Sequence, residues 1–526
     1  MVMGRRGMVA ASNPLASQAG LQILREGGTA ADAAVATAAM LNVTEPASTG
    51  IGGDCFALYY DAKTKQVTAL NGSGCSPAAL NLADLHSRGW SEMPERHPLT
   101  VTVPGTVAGW YDLLQRHGEM SLHKVLRPAI SYAQDGFPVH PVFGEAWQRS
   151  TEFLRGVNFA SDYLPSGRAP QVGEIIRLPE LARSLEIIAE GGLEAFYTGP
   201  IADAIIRTLE AVGGVMTHAD LQQHHSDWDH PITLNYRGYT VYQHPPNGQG
   251  LAALQALGIA EAWDLAVLPW ASPERFHLMI EALRLSFADA RHYIADQHTN
   301  PAPIGSLLHP AYLSQRRQMI SPNVAMQPPA YGMPIPSSNT VYLSVVDGAG
   351  NACSFINSLY YGWGSGIVAE GTGIFLQNRG ACFSLESGHP NVAAGGKRPY
   401  HTIIPGMVLR NGELWASLGV MGGFMQPQGH FQMISALIDD NLNPQEALNL
   451  PRFCLEAGTS SSVLCLEEGV PVATMSRLAE MGHTVKPVSG AARGVFGDGQ
   501  IILRDSDTGV LFGGSDPRKD GQVAAW

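Results

Sequence analysis

Apolar and polar positions change their period along this chain. Near the start, "SNPLASQAGLQILREGG" puts Leu15, Ala19 and Ile23 on one face, with Asn13 placed to cap, Pro14 at the first helical position and Gly27–Gly28 as the stop. The spacing predicts a helix there and a second from about Thr29 to Leu41. Next, "TGIGGDCFALYY" reads as a glycine-rich turn entering a buried strand. From Val101 to about Ile320 helical spacing dominates; in "ERFHLMIEALRLSFADARHYIAD", Phe276, Ile280, Leu283 and Phe287 share a face as core. After the Pro-rich "MQPPAYGMPIPSS" the period drops to two. Val341, Leu343 and Val345 alternate, "DGAG" turns, and a second strand runs from Asn351 to Ile356. The alternation lacks the ~30-residue βαβ rhythm of a parallel barrel, which predicts stacked layers.

Composition narrows the class. The chain has 526 residues, enough for two to four domains by length, yet no low-complexity linker or charge block divides it. With 45% hydrophobic and 15% charged residues it can build a large core, and 58 Gly with 35 Pro imply many tight turns. A net charge of −13 argues against nucleic acid or an anionic membrane as partner, because polyphosphate binding needs clustered Lys and Arg. "GMVAASNPLA", after Arg5 and Arg6, is too polar for a signal peptide, and no run approaches the ~18 apolar residues of a membrane span. The expectation is a soluble, cytoplasmic enzyme. Six scattered cysteines without a CxxC pair predict reduced, mostly buried thiols.

Three chemistries compete. "HHSDWDH" gathers His224, His225, Asp227, Asp229 and His230, but without HExxH or Cys/His zinc spacing it reads as a solvated loop, and no metal is expected. No Gly-x-Ser-x-Gly elbow supports a serine triad, and the glycine turn at Gly50–Gly53 lacks a P-loop or dinucleotide ending. Thr340, between the Pro/Ser-rich linker and the first strand of the hairpin, is the third. Freed as an amino terminus, a threonine carries its own base, since an α-amine of pKa about 8 can take the hydroxyl proton. A threonine before a strand is otherwise an ordinary β residue.

"TVYLSVVDGAGNA" resembles the start of the small subunit of the gamma-glutamyltransferase family, N-terminal nucleophile hydrolases made as one chain and self-cleaved before a Thr. The likeness covers almost the whole sequence. It includes "GIGGDCFALYY", "VPGTVAGWYDLL", "GSGIVAEGTGIFLQNRG", "KRPYHTIIP", "MGGFMQPQGH", "NLPRF" and "GGSDPR", in family order. The resemblance implies an α+β fold, a four-layer αββα sandwich, cut between Asn339 and Thr340 into a large subunit (1–339) and a small one (340–526) that remain one intertwined domain. Thr340 would be the nucleophile of both cleavage and catalysis, Gly422 and Gly423 the oxyanion hole, and Ser358 the hydroxyl that hydrogen-bonds the nucleophile. It implies a small-molecule amide substrate, the two fragments as a heterodimer, and no cofactor; a dimer of heterodimers stays open.

The substrate pocket departs from the family. Where the family's arginine holds the α-carboxylate of the substrate, "LNGSGCSP" has Ser73; the α-amino contacts match Tyr360, Arg379 and Cys382; the serine pair matches His401 and Thr402. A glutamyl ammonium beside Arg379 would meet like charge, whereas the planar guanidinium suits a carboxylate unless an Asp or Glu already pairs with it. The stretch from Cys382 to Lys397 is short for the lid loop of transpeptidases, which favours water as acceptor. The pattern resembles the gamma-glutamyltransferase-like amidohydrolases, a group that includes enzymes acting on oxamate and on glutaryl-cephalosporins. Oxamate is the first candidate and glutaryl amides the second. A transpeptidase acting on glutathione is the alternative within the family, and an unprocessed, non-catalytic binding protein the alternative outside it.

Overall fold

The computed structural model describes residues 1–327 and 339–526, the side chains of Asn339 and Thr340 excepted. The Pro-rich linker therefore falls, from residue 328 to 338, outside the described residues.

Two seven-stranded antiparallel sheets stack face to face. In chain order their strands are β1 (Val2–Gly4), β2 (Gly7–Ala11), β3 (Asp54–Asp61), β4 (Gln66–Gly72), β5 (Asp227–Asp229), β6 (Ile232–Tyr236), β7 (Tyr239–Gln243), β8 (Asn339–Asp347), β9 (Ala352–Tyr360), β10 (Gly406–Arg410), β11 (Glu413–Val420), β12 (Gly499–Arg504), β13 (Leu511–Ser515) and β14 (Gln522–Ala525). The first sheet is ordered β1-β13-β12-β11-β10-β7-β6 and the second β14-β2-β8-β9-β3-β4-β5. Both mix strands from either side of residue 340, so neither part could keep its sheets alone. Met8, Leu58, Val346, Met407 and Ile502 fill the space between the sheets, while Tyr342, Phe56 and Ile403 pack near the site end.

Helices cover the outer faces. Helix α1 (Pro14–Arg25) begins as the sequence predicts, with Asn13 accepting from Leu15 N–H and Gly27 at φ +90° after its end. Helix α2 (Ala30–Thr44) is capped reciprocally by Thr29 and Asp32 and is buried along its whole length, which is why its apolar residues surround it instead of forming a stripe. Against the other sheet lie α3 (Gly250–Ala260) and α5 (Met425–Ile438), and α4 (Pro273–Tyr293) packs on α3; Leu254, Ile280, Leu283 and Phe431 belong to their shared core.

Two expectations need correction. Helical spacing does not run unbroken to Ile320: β6 and β7 form a tight hairpin whose turn residues, Arg237 and Gly238, both have positive φ (+52° and +84°). Each strand has only five residues, too few for alternation to stand out beside long helices. The strand predicted from Asn351 to Ile356 is β9 and continues to Tyr360, carrying Ser358.

Candidate active site

The site is built where β8 begins and β9 ends. Asn339 pairs with Tyr360 and Val341 with Asn357, so a bulge sets one residue, Thr340, opposite two, Ser358 and Leu359. The side chains of Asn339 and Thr340 lie outside the described residues. Ser358 is buried, and its Oγ accepts from Tyr360 N–H at 2.8 Å. The glycine-rich turn passes directly beneath: a Cβ on Gly53 would lie 2.2 Å from Ser358 O, a close approach only glycine allows.

Arg379 opens a short 3₁₀ turn (Arg379–Cys382) and is wholly buried. Its Nη1 donates to Thr402 Oγ1 at 2.7 Å and its Nη2 to Ser358 Oγ at 3.1 Å, and the guanidinium sits 4.3 Å from the Tyr360 ring centroid. Two predicted binding residues, Tyr360 and Thr402, thus converge on it with Ser358. Among the described residues no carboxylate forms an ion pair with Arg379, and its Nε has no hydrogen-bond partner. A planar guanidinium with an unused donor has the chemistry that suits a carboxylate, and its charge already acts on the buried Asp54 carboxyl without a direct ion pair.

His401 does not face open space. Its Nδ1 accepts from Ile403 N–H at 3.4 Å, which leaves Nε2 as the donor to Asp54 Oδ2 at 3.0 Å. Asp54 Oδ1 accepts from Gln377 Nε2 at 2.8 Å and Gly74 N–H at 3.1 Å. Burial pushes the Asp54 carboxyl up to about 7, opposed by the nearby Arg379 charge, and burial holds the His401 imidazole well below its usual range.

Gly422 and Gly423 follow β11 with φ of +117° and +60°, just before α5 starts at Met425. Among the described residues no acceptor engages either N–H group. Gln249 anchors this loop: Nε2 donates to Gly423 O at 2.8 Å and Thr402 O at 2.6 Å, while Oε1 accepts from Tyr400 OH at 3.0 Å. Sequence reasoning missed Asp54 and Gln249. Asp54 was signalled only by a carboxylate entering an otherwise apolar strand; Gln249 gave no signal.

Ser73 is buried in a network of neutral groups, donating to Asn71 Oδ1 at 2.6 Å and accepting from Asn247 Nδ2 at 3.3 Å. Near it lies Arg398, whose Nε donates to Ser73 O at 2.9 Å and whose terminal nitrogens meet Asp227 and His225 O. Beside Cys382 a cavity of about 400 Å³ opens, bordered by Tyr361, Phe383 and Tyr400. The short loop after Cys382 forms one wall and is tied down: Asn391 Nδ2 donates to Cys382 O at 2.7 Å, and Lys397 Nζ to Val392 O at 3.2 Å.

The "HHSDWDH" segment is not a solvated loop. Asp227–Asp229 forms the edge strand β5, half-buried, with Asp227 taken by Arg398 and by His298 at 3.0 Å. Metal-ligand side chains converge elsewhere, at buried His277, Glu281 and His483. There His277 Nε2 contacts Ser321 O at 2.7 Å, and Glu281 accepts from Met326 N–H at 2.7 Å, fastening residues 321–326 to α4. All six cysteines are unpaired, and five are buried. Among the described residues no helix is long and apolar enough to cross a membrane.

Residues 16–526 match the family described as Gamma-glutamyltranspeptidase. The glutathione hydrolase-like YwrD proenzyme of Bacillus subtilis is 39% identical over 524 residues, spanning 99% of this chain and 98% of its own. The oxamate amidohydrolase proenzyme of Klebsiella pneumoniae is 36% identical over 530 residues, with the same coverage. The crystal structure of cephalosporin acylase from Bacillus halodurans superposes with a TM-score of 0.93 at 42% identity, covering 100% of this chain and 96% of that one.

Proposed function

This chain belongs to the gamma-glutamyltranspeptidase family, has the four-layer αββα fold of the N-terminal nucleophile hydrolases and acts on amide bonds; from that premise we propose that it cuts itself before Thr340 and hydrolyses amides of short, carboxylate-bearing acyl groups, oxamate first. The observation that carries the acyl-group reading is the 3.1 Å contact between Arg379 and Ser358. A cation bonded to a hydroxyl that lies opposite Thr340 in the strand register favours a short chain between reacting carbonyl and carboxylate.

In maturation, Thr340 Oγ attacks the Asn339 carbonyl carbon, the peptide C–N bond breaks, and water opens the resulting ester. The products are the Asn339 carboxylate and a free α-amine on Thr340. Residues 1–339 and 340–526 stay together because both sheets interleave strands from each. In turnover the same hydroxyl attacks the substrate amide and its proton passes through the α-amine to the leaving nitrogen. The N–H groups of Gly422 and Gly423 hold the oxyanion, Ser358 orients the hydroxyl, and Arg379 with Thr402 holds the carboxylate. Water then releases oxalate from the acyl-threonine.

Glutaryl amides are the second reading, favoured by the 400 Å³ cavity beside Cys382. Glutathione is disfavoured: the glutamyl ammonium would face Arg379, and Tyr360 and Cys382 supply no carboxylate to receive it. Ammonia or amine release by matured protein from oxamate, a glutaryl amide and glutathione tests the order. Glutathione turnover above oxamate turnover would reverse it.

A further inference from the structure

The acyl carboxylate and the 400 Å³ cavity do not compete for one place. Tyr360 touches both regions: its ring lies 4.3 Å from the Arg379 guanidinium and 4.6 Å from the ring of Tyr361 on the cavity wall. An acyl group short enough to put its carboxylate on Arg379 leaves the cavity empty, yet cavities of this size take drug-sized ligands. What remains of an amide once its acyl half is placed is the amine half.

The walls specify that half. Met93, Tyr361, Phe383, Leu385 and Tyr400 present apolar and aromatic surface, suited to a ring. The rim carries three exposed carboxylates, Glu92, Glu95 and Glu386. Against them stands a single arginine among the lining residues, Arg291, whose Nε donates to Gly458 O at 3.3 Å and Nη2 to Ala457 O at 2.9 Å, and whose guanidinium lies 3.7 Å from the Phe424 ring centroid. The histidines His292 and His389 also face the cavity, and burial depresses the His389 imidazole. An amine half ending in a carboxylate would meet a predominantly negative rim.

We propose that this cavity receives the amine half of the scissile amide, and that the preferred substrates are N-substituted oxamates whose nitrogen carries a neutral or cationic aromatic or branched alkyl group. The inference rests on the reading of Arg379 as the acyl-carboxylate site. The reaction balances as for oxamate: the Thr340 Oγ–carbon bond forms, the C–N bond breaks with the hydroxyl proton leaving on the amine, and water converts the oxalyl ester to oxalate.

The test compares kcat/KM of the matured enzyme for oxamate, N-benzyloxamate, N-(4-carboxybenzyl)oxamate and N-benzylglutaramate. Benzylamine is about as basic as ammonia, so the benzyl compound probes the cavity without a better leaving group. N-benzyloxamate is expected to exceed oxamate at least tenfold, and its carboxylated analogue to fall at least tenfold below it. Ser384→Trp, which fills the cavity from the loop wall, should lower the ratio of N-benzyloxamate to oxamate at least tenfold; Ser91→Trp does the same from the other wall if the first variant fails to fold. Oxamate equal to or better than N-benzyloxamate overturns this proposal and leaves the proposed function standing. N-benzylglutaramate as the best substrate overturns the Arg379 reading, and cleaved enzyme that turns over none of the four overturns the proposed function.

Discussion

Arg379 donates to Ser358 Oγ at 3.1 Å, which makes the pocket's buried cation and the hydroxyl opposite Thr340 parts of one hydrogen-bonded unit. Removing the cation should therefore have a large charge-specific effect and a smaller general one. Arg379→Ala is expected to lower kcat/KM for oxamate by ~2 kcal/mol or more, roughly 30-fold, beyond any loss on a matched neutral amide. Autocleavage should persist. Equal losses on charged and neutral amides would make Arg379 a support for Ser358 and nothing more.

Gly422 is the second test. Its φ of +117° is costly for any other residue, and a Cβ there would stand 3.2 Å from Gly497 Cα. Gly422→Ala should tilt the N–H away from the oxyanion and lower kcat by ~3 kcal/mol, on the order of a hundredfold, with KM little changed. A variant that raises KM alone would remove Gly422 from the oxyanion hole.

Much of the fold and part of this site are legible in the sequence. The caps of α1 and α2 are local chemistry, and the hairpin of β8 and β9 shows in the alternation at Val341, Leu343 and Val345. Ser358, Arg379 and the glycine pair are assigned their proposed roles by family resemblance, residue by residue. What no local pattern carries is pairing across the fold. His401 meets Asp54 from 347 positions away, and Gln249 joins Thr402 to Gly423 from an unmarked helix start. The short β6–β7 hairpin is hidden for a different reason, its five-residue strands being set among long helices.

Asp54 gives a pH test of stability. Its folded pKa of about 7 lies above the unfolded value of about 3.9, so the folded state holds an extra proton between them. The contribution is full below about pH 4 and is lost as pH rises through about 7. Asp54→Asn removes this titration. Its Tm relative to the parent should climb between about pH 4 and 7 and then level off; a constant gap would mean that Asp54 titrates as an ordinary carboxylate.

Acceptor choice separates hydrolysis from transpeptidation. The loop after Cys382 is held by Asn391 and Lys397 and offers no cationic clamp for an incoming dipeptide. Glycylglycine should raise product release by less than twofold. Strong stimulation, with most acyl groups appearing on the dipeptide, would favour a transpeptidase.

The central claim is that Thr340 becomes an amino terminus and the nucleophile, and sequencing the smaller fragment of purified, active protein tests it most directly. The account predicts two associated fragments, the smaller beginning Thr-Val-Tyr-Leu, and a single inactive chain for Thr340→Ala. A fragment beginning at any other residue, or an uncut chain with full activity, would contradict it.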